Sequence, residues 1–139
     1  MTFVLDTCVL SETIKPEPDA SLVQWLQAQE PDSLFVSAIT LGELRKGIDR
    51  LAPGKKRHDL SLWLVSLMGE FGGRFLDFDT ETAMIWGSLS AMLESAGTPL
   101  PVIDTMIAAC ALRHGHSLVT RNESDYRATG VPLINPWNA

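Results

Sequence analysis

Five side chains of this sequence offer oxygen atoms at places where surface charge is not needed: Asp6, Glu43, Asp104, Asn122 and Asp125. Asp104 stands apart most clearly. The stretch Val102–Leu112 is apolar nearly all round, which marks a buried helix, and Asp104 is the one carboxylate in its first turn. A favourable first-turn charge on the helix dipole contributes only ~0.3–1 kcal/mol. An unpaired carboxylate among apolar side chains costs on the order of several kcal/mol unless it is paired or holds a metal. Asp6 directly follows the apolar run Thr2–Leu5 and reads as a helix cap or a site residue. Glu43 lies three residues after Thr40, the spacing of a capping box, and Lys46 is near enough in sequence to pair with it. Asn122 and Asp125 belong to the polar cluster Thr120–Tyr126, whose residue types readily form Asx turns in a loop. Taken together, these are hard oxygen donors without His or Cys, a set that selects Mg²⁺ or Mn²⁺ over zinc. Ions held that way suit phosphodiester hydrolysis.

The elements that must position them follow from hydrophobic pattern and turn residues. Short apolar runs at Thr2–Leu5, Leu34–Val36, Arg74–Phe78, Ser117–Thr120 and Leu133–Ile134 read as strands. Between them the spacing predicts helices over Val9–Ile14, from a cap at Asp19 to about Glu30, from Thr40 to Leu51, and over His58–Glu70. A further helix runs from a cap at Asp79 or Thr80 to Ser95, and the last from Pro101 to His114. Strands alternating with helices imply an α/β fold: a central, mostly parallel sheet of about 4–5 short strands, with helices on both faces. With 139 residues and no repeat or linker, the chain reads as one domain over residues 1–139. In such a sheet Asp6 and Thr120–Asp125 share the carboxyl edge, where the helices of Glu43 and Asp104 begin.

A formal charge of −6 argues against nucleic-acid binding through a broad basic field. It leaves room for an acidic pocket whose bound cations reverse the local sign. The first apolar run is short and ends at Asp6, unlike a secretory leader, and no window is long enough to span a membrane. Cys8 and Cys110 lack metal-ligand spacing and read as small core side chains in a reducing compartment. The cytoplasm is the expected location.

Four segments then resemble a family. Leu5-Asp6-Thr7-Cys8-Val9-Leu10-Ser11-Glu12 resembles the opening of PIN-domain proteins, and Ser37–Leu44 the segment carrying their second acid. Pro99–Ala109 resembles the third and Leu118–Tyr126 the last. Their order and spacing cover essentially the whole chain and look like the VapC and FitB type of toxin from bacterial type II toxin–antitoxin pairs. The resemblance implies a metal-dependent endoribonuclease, a homodimer, and a cognate antitoxin whose C-terminal segment covers the active site and through which the complex binds operator DNA. It makes Asp6, Glu43 and Asp104 the metal-binding acids. This chain has Cys8 where the family often has Asn, and Asn122 where it often has a fourth acid, so Asn122 or Asp125 would complete the water shell or a weaker second metal position. Haloacid-dehalogenase-type phosphatases also place an Asp after the first strand. They want another Asp two residues on, where Cys8 stands.

The expected mechanism has Mg²⁺, or Mn²⁺, on Asp6, Glu43 and Asp104 activating water for in-line attack on RNA. Thr7 or Thr120 would position phosphate or water, and Arg45, Lys46, Lys55–Arg57 and Arg121 are the cations available to guide RNA. The alternative is a binding role, in which a weakly active chain mainly supports the antitoxin's hold on DNA.

Overall fold

The computed structural model describes residues 1–138. Its sheet is built from β1 (Phe3–Leu5), β2 (Leu34–Ser37), β3 (Phe75–Leu76), β4 (Ser117–Val119) and β5 (Leu133–Ile134), in the spatial order β3-β2-β1-β4-β5 with every pairing parallel. The helices are α1 (Thr7–Thr13), α2 (Ala20–Gln27), α3 (Ala38–Asp49), α4 (Lys55–Glu70), α5 (Thr80–Ser95), α6 (Val102–His114) and α7 (Glu123–Tyr126). Strand parity sorts the core into two layers, because alternate side chains leave opposite faces of the sheet. Phe3 and Leu5 pack with Val9, Leu22, Ile48 and Leu64 from α1 to α4. Val4 packs on the other face with Leu89, Leu93, Ile107 and Tyr126 from α5, α6 and α7.

Sheet order places the site. The chain steps outward from β1 to β2 and β3, then returns to the far side of β1 for β4 and β5. The reversal opens a crevice between the carboxyl ends of β1 and β4, the position at which ligands enter open α/β sheets. Asp6 follows one of these strands and Thr120 the other, and the Asp6 amide donates to Val119 O at 2.9 Å.

Several boundaries differ from the sequence expectation: α1 begins at Thr7 rather than Val9, α2 ends at Gln27, β3 is only Phe75–Leu76, and three further differences bear on the site. α3 begins at Ala38 rather than Thr40, because Ser37 is its N-cap and accepts from the Ile39 amide at 3.1 Å. α4 starts at Lys55, so the basic cluster lies inside its first turn. The polar stretch expected as a loop after β4 contains α7, a single turn that delivers Tyr126 to the core. α6 ends as read, at Gly115, whose φ of 70° is a left-handed conformation that a side chain would strain.

Candidate active site

Asp6 is 4% exposed and serves as cap and site residue together. Its Oδ1 accepts from the Thr7 amide at 2.8 Å and starts α1. Its Oδ2 accepts from Thr120 Oγ1, also at 2.8 Å. By parity Asp6 leaves the sheet on the face of Val4, toward α6 and α7. Burial pushes its carboxyl above the ordinary range, opposed by the Thr120, Thr7 and Tyr126 contacts and reinforced by Glu43.

The capping box predicted for Glu43 does not form. With the cap at Ser37, Glu43 is the sixth residue of α3, too far along to reach back to the first amides. It accepts instead from Thr7 Oγ1 at 2.5 Å, and that hydroxyl also lies 3.4 Å from the buried Thr40 Oγ1. One threonine thus ties the start of α1 to Glu43.

Asp104 is half-buried in the first turn of α6. Burial, then the charges of Asp6 and Asp125, push its carboxyl upward. Asn122 and Asp125 are exposed at the rim. Asn122 holds its place through its amide, which donates to Thr120 Oγ1 at 3.0 Å. Cys8 is half-buried, with Sγ 3.8 Å from Asp6 Oδ2 and 3.7 Å from Thr120 Oγ1. It packs against the core layer of α1 to α4 and also borders the acids, and burial and Asp6 keep it a neutral thiol.

Among the described residues no Lys or Arg forms an ion pair with Asp6, Glu43 or Asp104. Several cations expected near RNA are engaged elsewhere: Arg45 bonds Asp49 at 3.0 Å, Arg57 lies 3.7 Å from Asp49, and Lys55 bonds Asp59 at 2.8 Å. Lys46 and Arg50 have no ion pair among the described residues, and they line a groove of α3 beside Glu43. Gly42 and Gly47 leave that groove open: nothing lies within 4 Å of a Cβ built on either. Arg121 lies over the Trp137 ring, 5.9 Å from its centroid.

Sequence reasoning missed Tyr126. It is 1% exposed, and its hydroxyl faces both Asp6 and Asp104. The available signal was an aromatic residue one helical turn beyond Asn122, spaced to turn back onto the sheet.

No set of three acidic, His or Cys side chains among the described residues stands close enough to enclose an ion. The acids are close enough to feel one another's charge without forming a cage. That donor set fits a hydrated Mg²⁺, which keeps several waters and is typically held by one or two carboxylates plus substrate phosphate.

The raised carboxyls carry a stability consequence. A carboxyl that is harder to ionise in the folded chain binds more protons there than when unfolded. Its ionised form therefore destabilises the fold above the folded pKa, and the penalty fades as pH falls toward the unfolded value near ~4. We expect Asp104→Asn to stabilise the metal-free protein at pH 7 by about 0.5 kcal/mol, the lower end for relieved site strain because half the side chain is solvated. The gain should vanish near pH 4. Thermal melts in EDTA across this range check it; a gain that persists at pH 4 would contradict burial and repulsion as its source.

The sequence profile of the PIN domain matches residues 3–131. Among curated relatives, the VapC ribonuclease Y4jK of Sinorhizobium fredii is 38% identical over 138 residues, 96% of each chain. Toxin FitB of Neisseria gonorrhoeae is 35% identical over 136 residues, 97% of this chain and 98% of that one. The solved structure of FitAB bound to an IR36 DNA fragment superposes with a TM-score of 0.92 at 34% identity, covering 98% of this chain and 96% of that one. The matched residues take in β1 to β4 and every one of the acids described above. This chain belongs to the PIN-domain family.

Proposed function

We propose that the chain is a divalent-metal-dependent endoribonuclease, the toxin of a type II toxin–antitoxin pair acting in the cytoplasm. The observation that carries this reading is the gathering of Asp6, Glu43 and Asp104 at the β1/β4 crevice with no pairing Lys or Arg among the described residues. Two of these acids are pushed toward neutrality by burial and one another. Such an arrangement costs stability and is relieved by a bound cation. Relatives named as ribonuclease and toxin support it.

Asp6, Glu43 and Asp104 would hold Mg²⁺ or Mn²⁺, with Asn122 and Asp125 at the rim contributing through water. A cation there supplies a nucleophilic water at neutral pH and offsets phosphate charge. The protein's own part is orientation. Thr120 fixes Asp6 from the β4 side, Thr7 fixes Glu43 from α1, and the burial of Asp6 excludes bulk water from its carboxylate.

Lys46 and Arg50 give the groove beside Glu43 the charge to hold an RNA backbone, despite the chain's net −6. Replacing both with Ala should lower the slope of log(kcat/KM) against log salt by about 1.4, the single-strand value for two phosphate contacts, without moving the melting temperature. An unchanged slope would remove this groove from the RNA path.

The partners proposed are a second copy of the chain, a cognate antitoxin and, through the antitoxin, operator DNA. Solved complexes titled FitAB bound to DNA and DNA-bound VapBC are the relatives that support this. The open spacing of the acids also favours a second reading, a chain with weak nuclease activity that acts chiefly by binding its antitoxin. Purified free of antitoxin, the chain should cut structured RNA with Mg²⁺ or Mn²⁺ and stop in EDTA. Cleavage unaffected by EDTA would overturn metal dependence, and no cleavage of any RNA would favour the binding role.

A further inference from the structure

Tyr126 closes α7 with its ring among Val4, Ile107, Leu118 and Val131. Phe would supply that packing equally well. The hydroxyl is the part that needs a reason: it is wholly buried, it faces Asp6 and Asp104, and it makes no hydrogen bond of ordinary geometry. A buried hydroxyl without a partner is a standing cost to the fold.

The two carboxylates it faces are not equally served. Asp6 already accepts from Thr7 and Thr120, with the Cys8 thiol close by. Asp104 has no hydrogen-bond donor of ordinary geometry among the described residues, although Tyr126 is near enough to favour its ionised form. An unpartnered donor therefore stands beside an unpartnered acceptor.

We propose that Tyr126 is a positioning residue: its hydroxyl donates to Asp104 when the acids close on a divalent cation, fixing the carboxylate's rotamer against Asp6. This rests on the metal reading above. The same O–H that is idle in the open arrangement becomes the outer support of a ligand in the closed one. Outer hydrogen bonds of this kind orient ligating carboxylates, and removing one typically weakens metal binding 10–100-fold.

The test is Tyr126→Phe in the antitoxin-free chain. Mn²⁺ affinity is followed by the electron paramagnetic resonance of the free ion, alongside thermal melts in EDTA. We expect the Mn²⁺ dissociation constant to rise about tenfold while the melt in EDTA is unchanged or slightly higher. A purely structural tyrosine would shift the melt and leave Mn²⁺ affinity alone. Affinity within twofold of the parent chain overturns the proposal. Asp104→Asn separates the two ideas. If it abolishes Mn²⁺ binding while Tyr126→Phe leaves the affinity within twofold of the parent chain, only the role of Tyr126 fails. If Mn²⁺ binding survives Asp104→Asn, the metal site itself is wrong and the proposal falls with it.

Discussion

Asp104→Asn should abolish RNA cleavage, lowering kcat/KM by about 10³-fold or more, while leaving the fold intact. The amide keeps the size of the side chain and one carbonyl oxygen, so packing at the start of α6 is preserved. What disappears is a negative charge that stands half-buried, faced by Asp6 and Asp125 and without an ion pair. The charge matters to the fold and to a cation in opposite directions. Its loss relieves repulsion in the metal-free protein and removes attraction for a divalent ion. Cleavage and stability should therefore move apart in this variant. Asp6→Asn should lose activity as well, and it also alters the cap of α1. Cleavage assays on both variants with Mg²⁺ or Mn²⁺ check the point. Activity within tenfold of the parent chain in either one would exclude that acid as a metal ligand.

Thr120→Val is expected to be the most damaging substitution near the site for the fold itself. Thr120 is fully buried, and its hydroxyl joins three segments: it donates to Asp6 Oδ2 at 2.8 Å, accepts from the Asn122 amide at 3.0 Å, and lies beside Cys8 Sγ. Valine has nearly the same shape and none of these bonds. A hydrogen bond to a charged group contributes about 1.5–3 kcal/mol, and the amide of Asn122 loses its partner too, although water can reach the exposed turn. A loss of roughly 3 kcal/mol is expected, or about 10 °C in melting temperature for a chain of this size. The loss should shrink at acid pH. Without the Thr120 hydroxyl the Asp6 carboxyl rises further, and protonation then relieves it sooner. Thr120→Ser keeps the hydroxyl and should retain most of the stability. A valine variant melting within 3 °C of the parent would show that the bonds around Asp6 contribute little.

The positions of Asp6 and Asp104 were legible because each breaks a hydrophobic pattern at the end of an element. Charge in an apolar context is visible from local sequence alone. At Glu43 only the capping box was misread: Thr40 and Glu43 have its spacing, but Ser37 captures the helix start. A choice between two candidate caps depends on where β2 stops, and that is set by its pairing with β1 and β3 rather than by the residues of α3. Cys8 was read as a small core side chain from its apolar neighbours, and it does pack on the core, but its place beside the acids was not legible. Its contact with Thr120 spans 112 positions in the chain, beyond any local pattern.

Residue order alone determined the alternation of strands and helices, the parallel sheet between two helical layers, and the acids that interrupt apolar runs. These follow from local periodicity and the cost of buried charge. Tertiary structure alone decided that β4 returns beside β1, so that Thr120 meets Asp6 and Tyr126 turns its hydroxyl toward two acids from different elements. Strand order sets which distant side chains converge, and the packing of both sheet faces decides it for the chain as a whole.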